Sequence, residues 1–151
     1  MRTWQWAILA LALSVSGCCG KLAEKITGKA IEKAVEESSG GDASLSLDGN
    51  IDISDIPAAF RYPGMKGVAR IAQNTSTSTG TVYMLESEDS LEKVKTHYEA
   101  IAGYKQISKL EQPGIDPVFT YETAPKESCI IQLSTRSAKT AIILTFAKEK
   151  T

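Results

Sequence analysis

Beyond residue 104 the chain is a succession of short apolar-alternating runs and tight turns, and that pattern leaves few folds open. Residues 105–110, 118–123, 128–134 and 140–147 are rich in Ile, Val, Leu, Tyr, Phe and Thr. They are separated by Gln112-Pro113-Gly114, by Ala124-Pro125-Lys126 and by residues 135–139. Strands of this composition joined by connections this short must lie antiparallel to their neighbours, because a parallel return needs a crossover of about a dozen residues or more.

The preceding half adds to the same sheet. Residues 66–73 and 81–86 read as strands, and the joint Asn74-Thr75-Ser76-Thr77-Ser78-Thr79-Gly80 between them has turn chemistry throughout. Leu45, Leu47, Ile51 and Ile53 flank Asp48-Gly49-Asn50, which predicts a short hairpin around a glycine turn. Ile56-Pro57 and Tyr62-Pro63-Gly64 then impose an irregular crossing. Asp89-Ser90-Leu91-Glu92 has a capping acceptor with a glutamate three residues after Asp89. Leu91, Val94, Tyr98 and Ile101 keep helical spacing as far as Gly103. The expected fold is therefore α+β, over residues 43–151: an antiparallel sheet with the helix of residues 90–102 packed on one face.

Ahead of this domain, Leu22, Ile26, Ala30, Ile31, Ala34 and Val35 recur at three- and four-residue steps through residues 21–37. Lys and Glu are mixed between them. A membrane-surface helix shows a basic face instead, so a spacer that packs on its own domain is the plainer reading. Ser38-Ser39-Gly40-Gly41 ends this helix and reads as a flexible joint. Residues 18–42 thus form a tether. Residues 1–17 are of a different kind: Arg2, an apolar run over residues 4–15, and small residues at Val15-Ser16-Gly17-Cys18. This is the anatomy of a secretory signal, too short to remain as a membrane span.

The end of that signal resembles a bacterial lipobox, in which the cysteine is lipidated before the signal is cut away. The resemblance implies that residues 1–17 are removed, that Cys18 carries the lipid and becomes the first residue, and that the protein is anchored in a membrane and faces the periplasm or the exterior. It also implies the outer membrane in a Gram-negative envelope, since Cys19 is not the aspartate that retains such proteins at the inner one. Further along, Tyr62-Pro63-Gly64-Met65 and Asp89-Ser90-Leu91-Glu92-Lys93-Val94 through Tyr98 resemble bacterial envelope lipoproteins of unknown function. Those proteins carry a Tyr-Pro-Gly segment, a hairpin and an Asp-Ser helix start, a likeness that runs from about Lys29 to Tyr104. It implies the element order and a lipoprotein, and no activity.

Charge and cysteine content narrow the partners. The chain carries 17 Lys and Arg against 18 Asp and Glu, net −1, which offers no basic footprint for nucleic acid. Of the 3 cysteines, Cys18 is assigned to the lipid. Cys129 sits in an apolar strand and reads as a small buried hydrophobe rather than as a disulfide partner for Cys19.

Candidate chemistry is sparse. His97 is the only histidine, which excludes a histidine metal cluster, and it reads as a packing or solvent-edge residue. Asp48, Asp52 and Asp55 lack the spacing and the final glutamate of a calcium loop. Glu86, Glu88 and Asp89 suit the positive end of a helix. No glycine-rich phosphate cradle is present, and the tyrosines and phenylalanines have the periods of core residues.

The sequence thus predicts no catalytic residues, no cofactor and no metal, and a lipid-anchored binding or structural module whose partner is another envelope protein. The alternative is an accessory or inhibitor protein that docks an envelope protein through a sheet edge. An enzyme would need a nucleophile–base pair or metal set that the sequence does not supply.

Overall fold

The computed structural model describes residues 28–47 and 49–150. Cys18, Cys19, the signal segment and the first part of the tether lie outside the described residues. Helix α1 (Gly28–Ser38) is followed by strand β1 (Ala43–Ser46) and an irregular stretch holding one 3-10 turn (Ala58–Phe60). Next come β2 (Lys66–Asn74), β3 (Ser78–Ser87) and helix α2 (Leu91–Glu99). The chain finishes with β4 (Lys105–Gln112), β5 (Ile115–Ala124), β6 (Glu127–Arg136) and β7 (Lys139–Glu149).

The strands form a single 7-stranded sheet in the order β1-β2-β3-β7-β6-β5-β4, and every pairing is antiparallel. The chain builds inward from β1 to β3 and crosses one face through α2. It starts again at the far edge with β4 and meanders back until β7 closes against β3. The C-terminal turns follow their residues. Pro113-Gly114, with Gly114 at φ 78°, suits a type II turn. Ser137 (φ 48°) and Ala138 (φ 66°) link Arg136 to its partner Lys139. Two left-handed residues in a two-residue connection make a type I′ turn without the usual glycine.

The strands fill one face of the sheet with a core. Tyr83 and Leu85, Leu144 and Ile142, Ile131 and Leu133, and Phe119 and Tyr121 are all 3% exposed or less. Two covers lie over this face. One is α2, whose Val94 and Tyr98 are fully buried while Leu91 and Ile101 pack against the cluster, as the helical spacing predicts. The other is the irregular stretch, from which Ile56, Phe60, Tyr62 and Met65 enter the core. Phe60 is its hub, with ring centroids 4.9 Å from Tyr104, 5.9 Å from Tyr121 and 5.7 Å from Phe146. Tyr98 Oη donates to the Phe60 carbonyl at 3.1 Å and Tyr121 Oη to the Tyr98 carbonyl at 2.6 Å, so the buried hydroxyls join helix, crossing and sheet.

Three local expectations differ from the structure. The hairpin around residues 48–50 does not form. β1 pairs instead with β2, Ala43 opposite Gln73 and Ser46 opposite Arg70. Asp52 Oδ1 accepts the Ser54 amide at 2.8 Å and turns the chain, and Ile53 and Ile56 join the core. The Ile51 amide reaches β2 at the Gly67 carbonyl, 3.4 Å away. Gly67 permits that approach, since a Cβ there would lie 2.6 Å from the Ile51 carbonyl oxygen. The joint of residues 74–80 is also shorter than its composition suggests, because Thr75 Oγ1 bonds the Ser78 amide and carbonyl, each at 3.1 Å. Lastly, neither Asp89 nor Ser90 caps α2 through its side chain; Ser90 is the N-cap without such a bond, and the Asp89 carboxylate is engaged by Tyr62 and Lys93.

At the other end, α1 closes in a Schellman arrangement. The Gly41 amide donates to the Glu36 carbonyl at 3.0 Å and the Gly40 amide to the Glu37 carbonyl at 3.3 Å, with Gly40 at φ 65°. The helix packs against β1, and Glu32 Oε1 accepts the Leu47 amide at 2.7 Å. No helix among the described residues is long and apolar enough to cross a membrane.

Candidate functional site

The polar residues singled out from sequence are placed apart, each within a structural contact. His97 is half-buried on α2, edge-on to Tyr62 at 5.1 Å and to Tyr98 at 5.2 Å. Its Nε2 is buried without a hydrogen-bond partner, and burial pushes the imidazole pKa down. No acid or thiol joins it in a dyad among the described residues. Tyr62 Oη donates to Asp89 Oδ2 at 2.7 Å, Lys93 Nζ to Asp89 Oδ1 at 2.8 Å, and Thr140 Oγ1 to the Asp89 carbonyl at 2.7 Å. This knot holds the Tyr-Pro segment, the start of α2 and β7 together. The Lys93 ammonium and the Tyr62 hydroxyl keep the Asp89 carboxyl below the usual range.

A second knot fixes the irregular crossing on the sheet. Tyr83 Oη donates to Asp55 Oδ2 and accepts from Arg70 Nε at 3.3 Å, while Arg70 reaches Asp55 at 3.4 Å. Burial raises the Tyr83 hydroxyl pKa. Asp52 and Asp55 thus serve a turn and a clamp, and Asp48 lies outside the described residues. Among the described residues, no group of three or more His, Cys, Asp or Glu side chains is arranged to hold a metal ion. Cys129 is fully buried beneath the covers, unpaired, with its thiol pKa pushed up by burial. A shallow depression of about 110 Å³ lies between Thr79, Thr81, Thr123, Ser128 and the Glu127–Lys148 ion pair. It has too little concave apolar wall to enclose an organic ligand.

The sheet edges are guarded. β1 is 4 residues long and flanked by α1. β4 is exposed along its length, but its ladder to β5 is broken at Gln106/Ser108 and at Leu110/Gln112. Its Lys109 is engaged by Glu99 and Glu111, each at 2.7 Å, and Lys95 of α2 also reaches Glu111 at 2.7 Å. These lysines hold the Glu111 carboxyl at about 2. Bulges, lysines and brevity are the devices by which an edge avoids accepting another strand.

The face of the sheet turned away from the core is different. Register places Ile71, Val82, Thr145, Ile130 and Thr120 side by side across five strands. Met84, Ile143, Gln132, Val118 and Leu110 stand in the next row. None of these residues belongs to the core cluster. All but Leu110 are half-buried, and Leu110 at the margin is 44% exposed. α2 covers the opposite face and α1 packs chiefly against β1. The aromatic rings of the described domain are drawn into the core side, which leaves this face without rings, largely β-branched, and aliphatic apart from Thr120, Thr145 and Gln132. At its margins Lys139 is held between Glu86 at 3.2 Å and Glu88 at 3.0 Å, and Lys105 lies 3.6 Å from Glu122.

Sequence reading missed this face. The signal was present in Val82, Met84, Ile130 and Ile143, apolar residues at positions that alternate with core residues where an open sheet would carry polar ones. No protein family, no curated protein and no solved structure matches the chain.

Proposed function

We propose that the chain is a lipid-anchored protein of the bacterial cell envelope, held by acyl chains on Cys18 and facing the periplasm or the exterior, whose domain is a non-catalytic binding or structural module for another envelope protein. In a Gram-negative cell the outer membrane is its place. The single observation that carries the module reading is the aliphatic face opposite the core. The largest apolar patch on a monomeric domain is often its contact surface. The anchor half of the reading rests on Val15-Ser16-Gly17-Cys18 alone. Docking through a sheet edge finds less support, given the bulged, lysine-bearing β4 and the short, flanked β1.

The test is crosslinking in intact envelopes followed by mass spectrometry, with Met84→Lys as the probe variant. The lipidated protein should be recovered in the membrane fraction joined to an envelope protein. Met84→Lys should lose that product and fail to complement a deletion while melting at the parent temperature. Full complementation by a stably folded Met84→Lys protein would sink the module reading.

A further inference from the structure

We infer that residues 28–47 form a releasable strap: α1 and β1 detach from β2 as one unit while the β2–β7 sheet and its covers stay folded, and the detachment lengthens the tether between anchor and domain. The lengthening rests on the anchor proposed above; the detachment does not. The unit is closed on itself. The Ala43 amide donates to Ser39 Oγ at 3.1 Å and the Leu47 amide to Glu32 Oε1 at 2.7 Å, so both point away from β2. Alternate residues bond across an antiparallel ladder, which leaves Ser44 and Ser46 for β2. The Asn74 amide, donating to the Asp42 carbonyl at 2.7 Å, adds one more bond to the sheet. The Schellman bonds of Gly40 and Gly41 are again internal to the strap.

The apolar hold is slight. Among the described side chains of residues 28–47 only Ala43 is buried, and the main core cluster, which the chain first joins at Ile53, does not include it. Between strap and core lie Gly49, left-handed at φ 65°, and Asn50, both exposed, which suit a hinge. An isolated helix of 11 residues is marginal in water, so α1 loses its support when β1 leaves, and the two open together. Segments with few buried apolar contacts open at a fraction of the free energy of global unfolding. Once open, the chain from Cys18 to Ile51 reaches roughly 110 Å at full extension, against about 35 Å for the part ahead of α1.

The experiment is hydrogen exchange read by mass spectrometry on the full-length lipidated protein in detergent micelles. Residues 28–47 should exchange together, with protection at least about a hundredfold below that of β3, β6 and β7. In β2 the Arg70, Ala72 and Asn74 amides, which turn to β1, should exchange with the strap, while their neighbours bonded to β3 stay protected. A lock supplies the second arm. Ala43→Cys with Gln73→Cys, opposite one another in register, in a Cys19→Ser chain, allows a disulfide between β1 and β2. Oxidised, it should slow exchange of residues 28–47 at least about tenfold and leave β6 and β7 unchanged, and reduction should reverse it. Exchange of the strap only in step with β6 and β7, unrelated rates for α1 and β1, or rates unaltered by the lock would each overturn the inference. In cells the oxidised lock should fail to complement a deletion that Ala43→Ser with Gln73→Ser complements. Full complementation by the locked protein would overturn the lengthening of the tether. The anchor is judged separately, by acyl labelling, which the lock should leave unchanged.

Discussion

At the scale of single residues, the buried polar atoms hold the two covers on the sheet. Tyr121 Oη and the Tyr98 carbonyl meet at 2.6 Å where both residues are 1% exposed or less. Tyr121→Phe removes the donor and little volume, so urea denaturation should show a loss of about 1–2 kcal/mol. His97 makes the domain sensitive to acid. Its pKa is depressed from the ordinary 6.5 by burial, so the unfolded chain binds the proton more readily than the folded one. The contribution is intact above pH 6.5 and is lost as the pH falls from there through the folded value. The urea midpoint should therefore decline on going from about pH 7 to about pH 5.5, and His97→Gln should flatten that part of the slope. On the module reading the same variant should complement a deletion fully, because no proton transfer is asked of it. A folded His97→Gln protein that fails to complement would return enzymatic chemistry to consideration.

At the scale of elements, α2 and the C-terminal turns are where sequence spoke most clearly. Val94 and Tyr98 are fully buried because their spacing puts them on one side of a helix laid over β5, β6 and β7. Val94→Asp would set a carboxylate in that contact without a partner, a cost of several kcal/mol. Against a domain stability of about 5–15 kcal/mol, the thermal transition should collapse or shift far down. The β6–β7 turn predicts the opposite sign. Ala138 is exposed and left-handed at φ 66°, so Ala138→Gly should relieve about 1 kcal/mol and raise the melting temperature. The C-terminal meander was legible because each of its pairings is between neighbours, fixed by a period of two and by Pro-Gly or similar turn residues. β1 was not, because its partner β2 lies about twenty-five residues away and the nearby Asp-Gly turn signal pointed to a local hairpin. The aliphatic face was hidden for another reason: Ile130 and Ile143 are good strand formers on either face, and only the register shows which face α2 leaves open.

At the scale of the whole molecule, the proposed anchor and the observed domain constrain one another. Roughly ten residues separate Cys18 from the start of α1, a reach of about 35 Å at full extension. Anchored there, α1 and the sheet edge beside it would stay near the membrane. Two acyl chains hold firmly where one is marginal, since each buried methylene contributes about 0.8 kcal/mol. Cys18→Ser tests the anchor directly, because a serine oxygen cannot form the thioether. The variant precursor should keep residues 1–17, take up no acyl label and be absent from the mature lipoprotein pool. The domain should melt as before, since the first core residue among the described residues is Ala43. Normal processing and full acyl labelling of Cys18→Ser would remove the anchor from the proposed function and leave the domain's binding face as its remaining support.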